Sequence, residues 1–115
     1  MLHVLVVAAL LGNHLEDPGE GHPKFRRGDA DGSGAVNISD AIFILNWAFL
    51  GGEEPSCRAA ADWDSDNNIN HLTEAVRILT WLFQGSFPSS KPGPFECGHG
   101  RLDPFVEDCK SYTAC

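Results

Sequence analysis

The segment DADGSGAVNISD, residues 29–40, places oxygen-bearing side chains at intervals that suit a bound cation. A loop that wraps a hard cation takes side-chain oxygens at its positions 1, 3, 5, 9 and 12 and a backbone carbonyl at position 7. Gly34 stands at position 6, where the chain must turn sharply. The predicted ligands are Asp29, Asp31, Ser33, the carbonyl of Ala35, Asn37 and Asp40.

This set of donors in the first loop favours calcium over other metals. Six or seven oxygens at these intervals suit calcium, whereas magnesium requires a tighter octahedron and transition metals prefer nitrogen or sulfur. The alternative interpretation is an acidic turn in which Asp and Asn only cap the helix that follows.

A second loop, residues 62–74, begins in the same way but ends one residue later. Asn67 can adopt the left-handed turn at position 6. One residue is inserted near Asn70 and His71, so strict counting places Thr73 at position 12, and we expect the longer side chain of Glu74 to close the site. His71 is excluded because neutral imidazole binds calcium poorly. The predicted ligands are Asp62, Asp64, Asp66, the carbonyl of Asn68, a direct or water-mediated oxygen of Asn70, and Glu74. The alternative is that this loop binds a cation weakly or not at all.

Each loop is followed by a segment with the pattern of an amphipathic helix. The segments AIFILNWAFLGG and AVRILTWLFQGS match at an offset of 34 residues. They predict helices over residues 39–50 and 73–84, each ended by a glycine. We expect the two helices to pack about a pseudo-twofold axis and to bury their shared aromatic residues. These residues are Trp47, Trp81, Phe49 and Phe83.

The composition excludes several classes of protein. A chain of 115 residues that is 43% hydrophobic forms one small domain with a modest core, so other interactions must help it to fold. The formal net charge of -8 argues against a nucleic-acid partner, which requires clustered Lys and Arg. Motifs typical of metalloproteases, serine hydrolases or phosphate-binding loops are absent from the sequence, so we do not expect an enzyme.

The four cysteines predict disulfides and an extracellular location. An even number in a short chain with a Pro/Gly-rich tail is typical of oxidising compartments, and the spacings do not fit a zinc site. Three pairings are possible. We favour Cys57 with Cys97, which would clasp the repeat, and Cys109 with Cys115 across a small loop.

Residues 1–24 form an apolar segment followed by a Pro/Gly linker that rules out a regular helix before the first loop. Residues 4–11 resemble the core of a signal peptide, although no Lys or Arg precedes them, and they are too short to span a bilayer. They are either a cleaved signal or a retained segment. If they are retained, the β-branched sequence HVLVV favours a strand.

The duplicated loop and helix resemble a dockerin domain over about residues 25–97, in the segments FRRGDADGSGAVNISDAIFILNWAFLGG and CRAAADWDSDNNINHLTEAVRILTWLFQGS. The resemblance implies an all-α fold of two pseudo-symmetric calcium loop–helix (F-hand) repeats with extended N- and C-terminal segments, of which residues 98–115 form an irregular, disulfide-tied tail. It also implies that calcium folds the domain and that one face docks noncovalently onto a β-sandwich partner, the cohesin. Contact residues in the family lie at loop positions 10 and 11 and along the helix. By the register of the helices, these are Ile38 and Ser39 in the first repeat and Leu72 and Thr73 in the second.

The outer faces of the two predicted helices differ. Phe43 and Leu50 stand in the first helix where the second has Arg77 and Gln84. Such an apolar face is either covered by the chain itself or forms an interface. The alternative function is therefore a self-assembling subunit of an extracellular filament, in which residues 4–11 insert into the next copy and calcium and disulfides stabilise the product.

Overall fold

The computed structural model describes residues 22–69, 71–101 and 107–115. Within these ranges the chain forms three helices and no strand: α1 is Ile38–Leu50, α2 is Arg58–Ala61 and α3 is His71–Gln84. An isolated antiparallel bridge pairs Phe25 with Gly98. The small helical fold is therefore confirmed, whereas the predictions made for residues 1–21 and for Asn70 lie outside the described residues.

Helices α1 and α3 begin and end close to the predicted positions. Asn37 caps α1, and its side chain and that of Asp40 form a reciprocal capping box with the backbone. Gly51 ends α1 with a φ of 68°, and Gly85 follows α3 with a φ of 70°. Because L side chains rarely adopt this left-handed conformation, glycine is the residue that stops a helix there. The four-residue helix α2 was not predicted.

The main core lies between α1 and α3, which pack against each other. Ala41 and Ile44 of α1 and their counterparts Ala75 and Ile78 of α3 are all fully buried. Trp63, which lies between the helices in the sequence, is 1% exposed and joins the same cluster. Its indole N–H donates to the carbonyl of Phe87 at 2.6 Å, so the polar end of this buried ring is satisfied.

The aromatic residues at the helix ends do not lie in the core as predicted. Phe49 is 65% exposed and Phe83 is 72% exposed, and both precede the last residue of their helix. Phe49 is five residues beyond the buried Ile44 and therefore roughly 140° around the helix from it. Trp47 and Trp81 are half-buried, and Trp81 packs against the core. The repeat therefore placed the phenylalanines in equivalent positions, but those positions face solvent.

The disulfides join Cys57 to Cys109 and Cys97 to Cys115, so the favoured pairing of Cys57 with Cys97 and of Cys109 with Cys115 was wrong. The reason is that the tail segment, residues 107–115, runs back along α2. The Ala59 N–H donates to the Asp108 carbonyl at 2.8 Å, which brings Cys109 beside Cys57. This long-range return of the tail is not visible in the spacing of the cysteines.

A buried arginine joins the tail segment to the rest of the chain. Arg27 is 0% exposed and forms two contacts with the Glu107 carboxylate, at 2.8 and 2.9 Å. Its guanidinium also donates to four backbone carbonyls, which are those of Ala59, Asp62, Ser90 and Lys91. Arg27 lies just before the first loop, residues 29–40, and connects it to α2, to the second loop, residues 62–74, and to the tail segment. No pattern in the sequence predicted this role.

Candidate metal centre

Loop one, residues 29–40, brings together the three carboxylates that the spacing predicted. Asp29, Asp31 and Asp40 each offer an oxygen within 4.8 Å of the others, and Asp29 and Asp40 are almost completely buried. The Ser33 hydroxyl lies 3.3 Å from Asp29 Oδ1 and 3.3 Å from the Ala35 carbonyl. Oxygens that bind one calcium at 2.3–2.6 Å lie roughly 3 Å from their neighbours, so this arrangement can form part of a coordination shell.

Local hydrogen bonds give loop one its shape. Gly34 turns the chain with a φ of 100°, and its N–H donates to Asp29 Oδ2 at 2.8 Å. Asp40 Oδ1 accepts from the Asp31 N–H at 3.1 Å, and this ties the end of the loop to its start. The Asn37 side-chain oxygen accepts from the Ser39 N–H at 3.0 Å, so Asn37 has the capping role that the alternative interpretation assigned to it.

Loop two, residues 62–74, forms a second acidic group that includes Glu74. Asp62, Asp64 and Glu74 offer oxygens within 4.8 Å of one another, which places Glu74 where the displaced loop ending predicted it. Asp62 is 3% exposed; its Oδ2 accepts from the Asn67 N–H at 2.9 Å, and its Oδ1 is buried without a hydrogen-bond partner. Glu74 is 2% exposed, and one of its oxygens accepts from the Trp63 N–H.

The two loops turn in the same way. Asn67 has a φ of 61°, and its N–H bonds the Asp62 carboxylate just as the Gly34 N–H bonds Asp29. In both loops the first carboxylate therefore accepts from the N–H at position 6. Asn67 tolerates this left-handed conformation because its short polar side chain is among the few that do.

Two other predicted ligands, Asp66 and Asn68, lie at the surface of loop two, where the Asp66 carboxylate still interacts with those of Asp62 and Asp64. Asp66 and Asn68 are exposed, and Asp66 Oδ1 accepts from the Asn68 N–H at 2.9 Å. Asp64 belongs to the group but also forms an ion pair with Arg77 of α3. His71, which was not predicted to be a ligand, packs edge-on against Trp47 at 4.3 Å between ring centroids. A cation in loop two must therefore compete with Arg77 for Asp64.

Burial favours the protonated form of Asp40, Asp62 and Glu74 when no cation is bound. It raises the pKa of Asp40 to about 8, with a further contribution from the neighbouring Asp31. It also raises the pKa of Glu74 to about 8 and that of Asp62 to about 6, and the charges of nearby Asp side chains add to both shifts. Burial opposes the fall in the pKa of Asp31, but hydrogen bonds, chiefly from Asp40, outweigh it. The metal-free loops therefore retain protons near neutral pH, which a divalent cation would displace.

We expect the metal-free protein to lose stability as the pH rises. The ordinary pKa of Asp and Glu is about 4, whereas those of Asp40 and Glu74 in the fold are about 8. Between these values the folded chain binds more protons than the unfolded chain, so the free energy of unfolding falls with rising pH. Thermal melts of metal-free protein from about pH 5 to about pH 8 should show a decreasing melting temperature. The same melts in calcium should show a weaker or opposite trend, because protons compete with the ion. A metal-free melting temperature that rises over this range would contradict the prediction.

The tail segment contacts both loops. The Tyr112 hydroxyl donates to Asp29 Oδ2 of loop one, and the Glu107 carboxylate accepts from the Ser65 hydroxyl of loop two at 2.9 Å. Burial, followed by the hydrogen bond to Asp29, raises the pKa of Tyr112 above its ordinary value, so its phenol stays protonated and acts as a donor. A cavity of about 170 Å³ adjoins loop two, between it, α2 and the tail segment. It is lined by Arg58, Ala59, Asp62, Asn67, Ile69, Glu107 and Asp108.

Two disulfides of this kind are typical of extracellular proteins. Of the helices in the described ranges, none has the length and apolar character needed to cross a membrane. Comparison of the chain with protein-family models, with curated proteins and with solved structures gave no match.

Proposed function

We propose that this chain is an extracellular calcium-binding module of two loop–helix repeats that assembles noncovalently with a protein partner. The observation that carries the proposal is the buried Asp62 Oδ1, which has no hydrogen-bond partner and lies in a group with Asp64 and Glu74. A buried, unpartnered carboxylate oxygen is costly, and a bound cation would satisfy it.

The donor chemistry supports calcium as the cation. Both groups present carboxylates and neither contains His or Cys, so they match a hard metal better than zinc or copper. In loop one, the Ser33 hydroxyl lies beside Asp29, and the Ala35 carbonyl lies beside that hydroxyl. The shared hydrogen bond from position 6 to position 1 supports the view that the loops are equivalent units.

Calcium binding is tested by isothermal titration calorimetry of the metal-free protein, with magnesium as the competing ion. We expect two calcium sites in the wild type. Asp62→Asn keeps the shape of the side chain but removes its charge, and it should abolish or weaken one site by at least about 10-fold. Asp108→Asn is the matched control because it removes the charge of an exposed carboxylate beside the same cavity. Equal calcium affinities in wild type and Asp62→Asn would contradict the assignment of loop two.

Matching rows of exposed apolar side chains on α1 and α3 support a docking role. Ile38 and Leu72 are 51% and 55% exposed, and Phe49 and Phe83 are exposed at equivalent positions near the helix ends. Ile42 of α1 and Val76 of α3 complete the two rows. Single exposed hydrophobic residues are common, but two equivalent rows are typical of interaction surfaces.

The predicted contact residues differ in how accessible they are. Ser39 and Leu50 are exposed and can contact a partner directly, as can Ile38 and Leu72 of the two rows. Thr73 is half-buried, and Phe43 is half-buried against the core. The docking surface that we propose for a cohesin-like β-sandwich is therefore built on the two rows rather than on Phe43.

Docking is tested with a panel of immobilised cohesin domains in calcium and in chelator. We expect binding in calcium alone. Ile38→Ser/Ile42→Ser should weaken it little, because the row on α3 can replace the row on α1. Adding Leu72→Ser/Val76→Ser should reduce binding by at least about 100-fold, since each fully buried aliphatic side chain contributes roughly 1.5–3 kcal/mol. Equal binding by the wild type and the four-residue variant would rule out these rows as the contact surface.

A filament subunit is the second candidate function, and the exposure of Leu50 favours it. Leu50 is 77% exposed at the end of α1, where α3 has a polar Gln84. The segment proposed to insert into the next copy, residues 4–11, lies outside the described residues. Negative-stain microscopy of the purified protein with and without calcium separates the two functions, because a docking module stays monomeric and a filament subunit polymerises alone. Polymer that survives deletion of residues 1–12 would exclude exchange of that segment.

A further inference from the structure

The tail segment places a hydrogen-bond donor on the first carboxylate of loop one. The Tyr112 hydroxyl and the Gly34 N–H both donate to Asp29 Oδ2. Asp29 Oδ1 instead accepts from the Ser33 N–H at 3.0 Å and lies 3.3 Å from the Ser33 hydroxyl, which is itself a predicted ligand. The two oxygens of Asp29 therefore have different partners, and Tyr112 contacts the one that Ser33 does not contact.

Two donors on one oxygen restrict rotation of the Asp29 carboxylate. Asp29 is 1% exposed, so water has little access to replace a lost donor. Hydrogen bonds that orient a ligating carboxylate from outside the coordination shell contribute to metal affinity. We propose that Tyr112 is a positioning residue for the cation of loop one, which keeps Asp29 Oδ1 directed at the ion. The inference rests on the proposed calcium function.

The disulfides hold Tyr112 in this position. Tyr112 lies three residues after Cys109 and three before Cys115, and these cysteines are bonded to Cys57 and Cys97 respectively. Its ring packs against a buried cluster that includes Phe25. The tail segment is therefore fixed on both sides of Tyr112, and we infer that the bond between Cys97 and Cys115 is coupled to the calcium affinity of loop one.

Loop two differs from loop one in this respect. The described contacts of its first carboxylate are a bond from the Asn67 N–H to Oδ2 of Asp62, and Oδ1 has no partner. The tail segment reaches loop two through Glu107 and the Ser65 hydroxyl, and Ser65 is not a predicted ligand. Loss of the Tyr112 hydroxyl should therefore affect one loop only.

The test is a calcium titration of Tyr112→Phe by amide NMR in calcium-buffered solution. The amides of Gly34 and Asn67 report loop one and loop two separately, because each donates to the first carboxylate of its own loop. We expect the calcium midpoint at Gly34 to rise about 10-fold and that at Asn67 to stay the same. Phe preserves the packing of the ring, and Thr113→Val, which removes a hydroxyl from the exposed neighbouring residue, is the control.

A second variant tests whether the bond between Cys97 and Cys115 holds Tyr112 in position. Cys97→Ser/Cys115→Ser leaves the bond between Cys57 and Cys109 in place and should raise the Gly34 midpoint selectively. Combining it with Tyr112→Phe should add little, because both changes remove the same interaction. If Tyr112→Phe does not fold, the cysteine variant provides the same comparison between the loops.

Two results would overturn the inference and leave the proposed calcium function in place. Equal Gly34 midpoints in wild type and Tyr112→Phe would show that the hydroxyl does not position Asp29. A rise of the same size at Gly34 and Asn67 would assign Tyr112 a general role in stability only. A wild type in which neither amide responds to calcium would instead overturn the proposed calcium function, and the inference with it.

Discussion

Saturating calcium is expected to raise the free energy of unfolding by about 4 kcal/mol for each occupied loop, when free calcium is a thousand times Kd. The physical reason is that each loop collects three carboxylates within 4.8 Å, and at least two of each three are almost fully buried. Without a cation these carboxylates either stay protonated or repel one another. A bound ion neutralises their charges and so stabilises the fold. The metal-free fold should therefore be marginal and the calcium-bound fold stable.

This effect is measured by equilibrium unfolding in urea with calcium and with excess chelator, and magnesium serves as the control ion. The urea midpoint should move to higher concentration in calcium with little change in the slope, because the surface exposed on unfolding stays the same. Magnesium at the same concentration should have a smaller effect, since it requires a tighter and more regular octahedron than the ligand spacing of these loops suits. Identical unfolding curves in calcium and in chelator would exclude calcium as part of the fold.

Replacing Arg27 with Met is expected to lower the free energy of unfolding by about 3–5 kcal/mol, the effect of breaking a buried ion pair from one side. Arg27 is 0% exposed and Glu107 is 6% exposed, so the variant would leave a buried carboxylate without its cation. Four backbone carbonyls would each lose one donor as well, although those of Ala59 and Asp62 also accept from a backbone N–H. Equilibrium unfolding in urea measures the loss.

Two further variants show whether the loss of stability in Arg27→Met comes from the broken pair with Glu107. Arg58→Met breaks an exposed pair with Glu54, whose side chains are 44% and 53% exposed, and it should cost about 0–1 kcal/mol. Adding Glu107→Leu to Arg27→Met should recover part of the loss, because the unpaired charge is then removed. If Arg27→Met costs no more than Arg58→Met, the buried pair does not hold the tail segment to the loops.

The loops and helix ends are the parts that local sequence predicts well. The intervals between Asp29, Asp31 and Asp40 suffice to bring their carboxylates together, because the sharp turn at Gly34 needs only the residues of the loop. The inserted residue in loop two made Glu74 the predicted closing carboxylate, and Glu74 lies within 4.8 Å of Asp62 and Asp64. Glycines after both helices mark where they end.

The burial of the aromatic residues required the packed structure. Phe49 and Phe83 share the repeat pattern of the core residues, yet both are largely exposed because they lie away from the contact between α1 and α3. Trp63 is the largest buried side chain, although it lies in an acidic loop where no periodic pattern marks it. Whether these aromatic residues are buried or exposed depends on contacts between segments that are distant in the sequence.

By itself the sequence determined the two oxygen-rich loops, the helices that follow them and the even set of cysteines, since these depend on spacings of about a dozen residues or fewer. The tertiary structure decided the disulfide pairing, the burial of Arg27 against Glu107 and the contact of Tyr112 with Asp29. The Cys57–Cys109 bond, the Arg27–Glu107 pair and the Tyr112–Asp29 contact join residues at least 52 positions apart, and the Cys97–Cys115 bond joins residues 18 apart. Their formation depends on the path of the tail segment across α2, which the backbone hydrogen bonds beside Cys57 establish and no local pattern encodes.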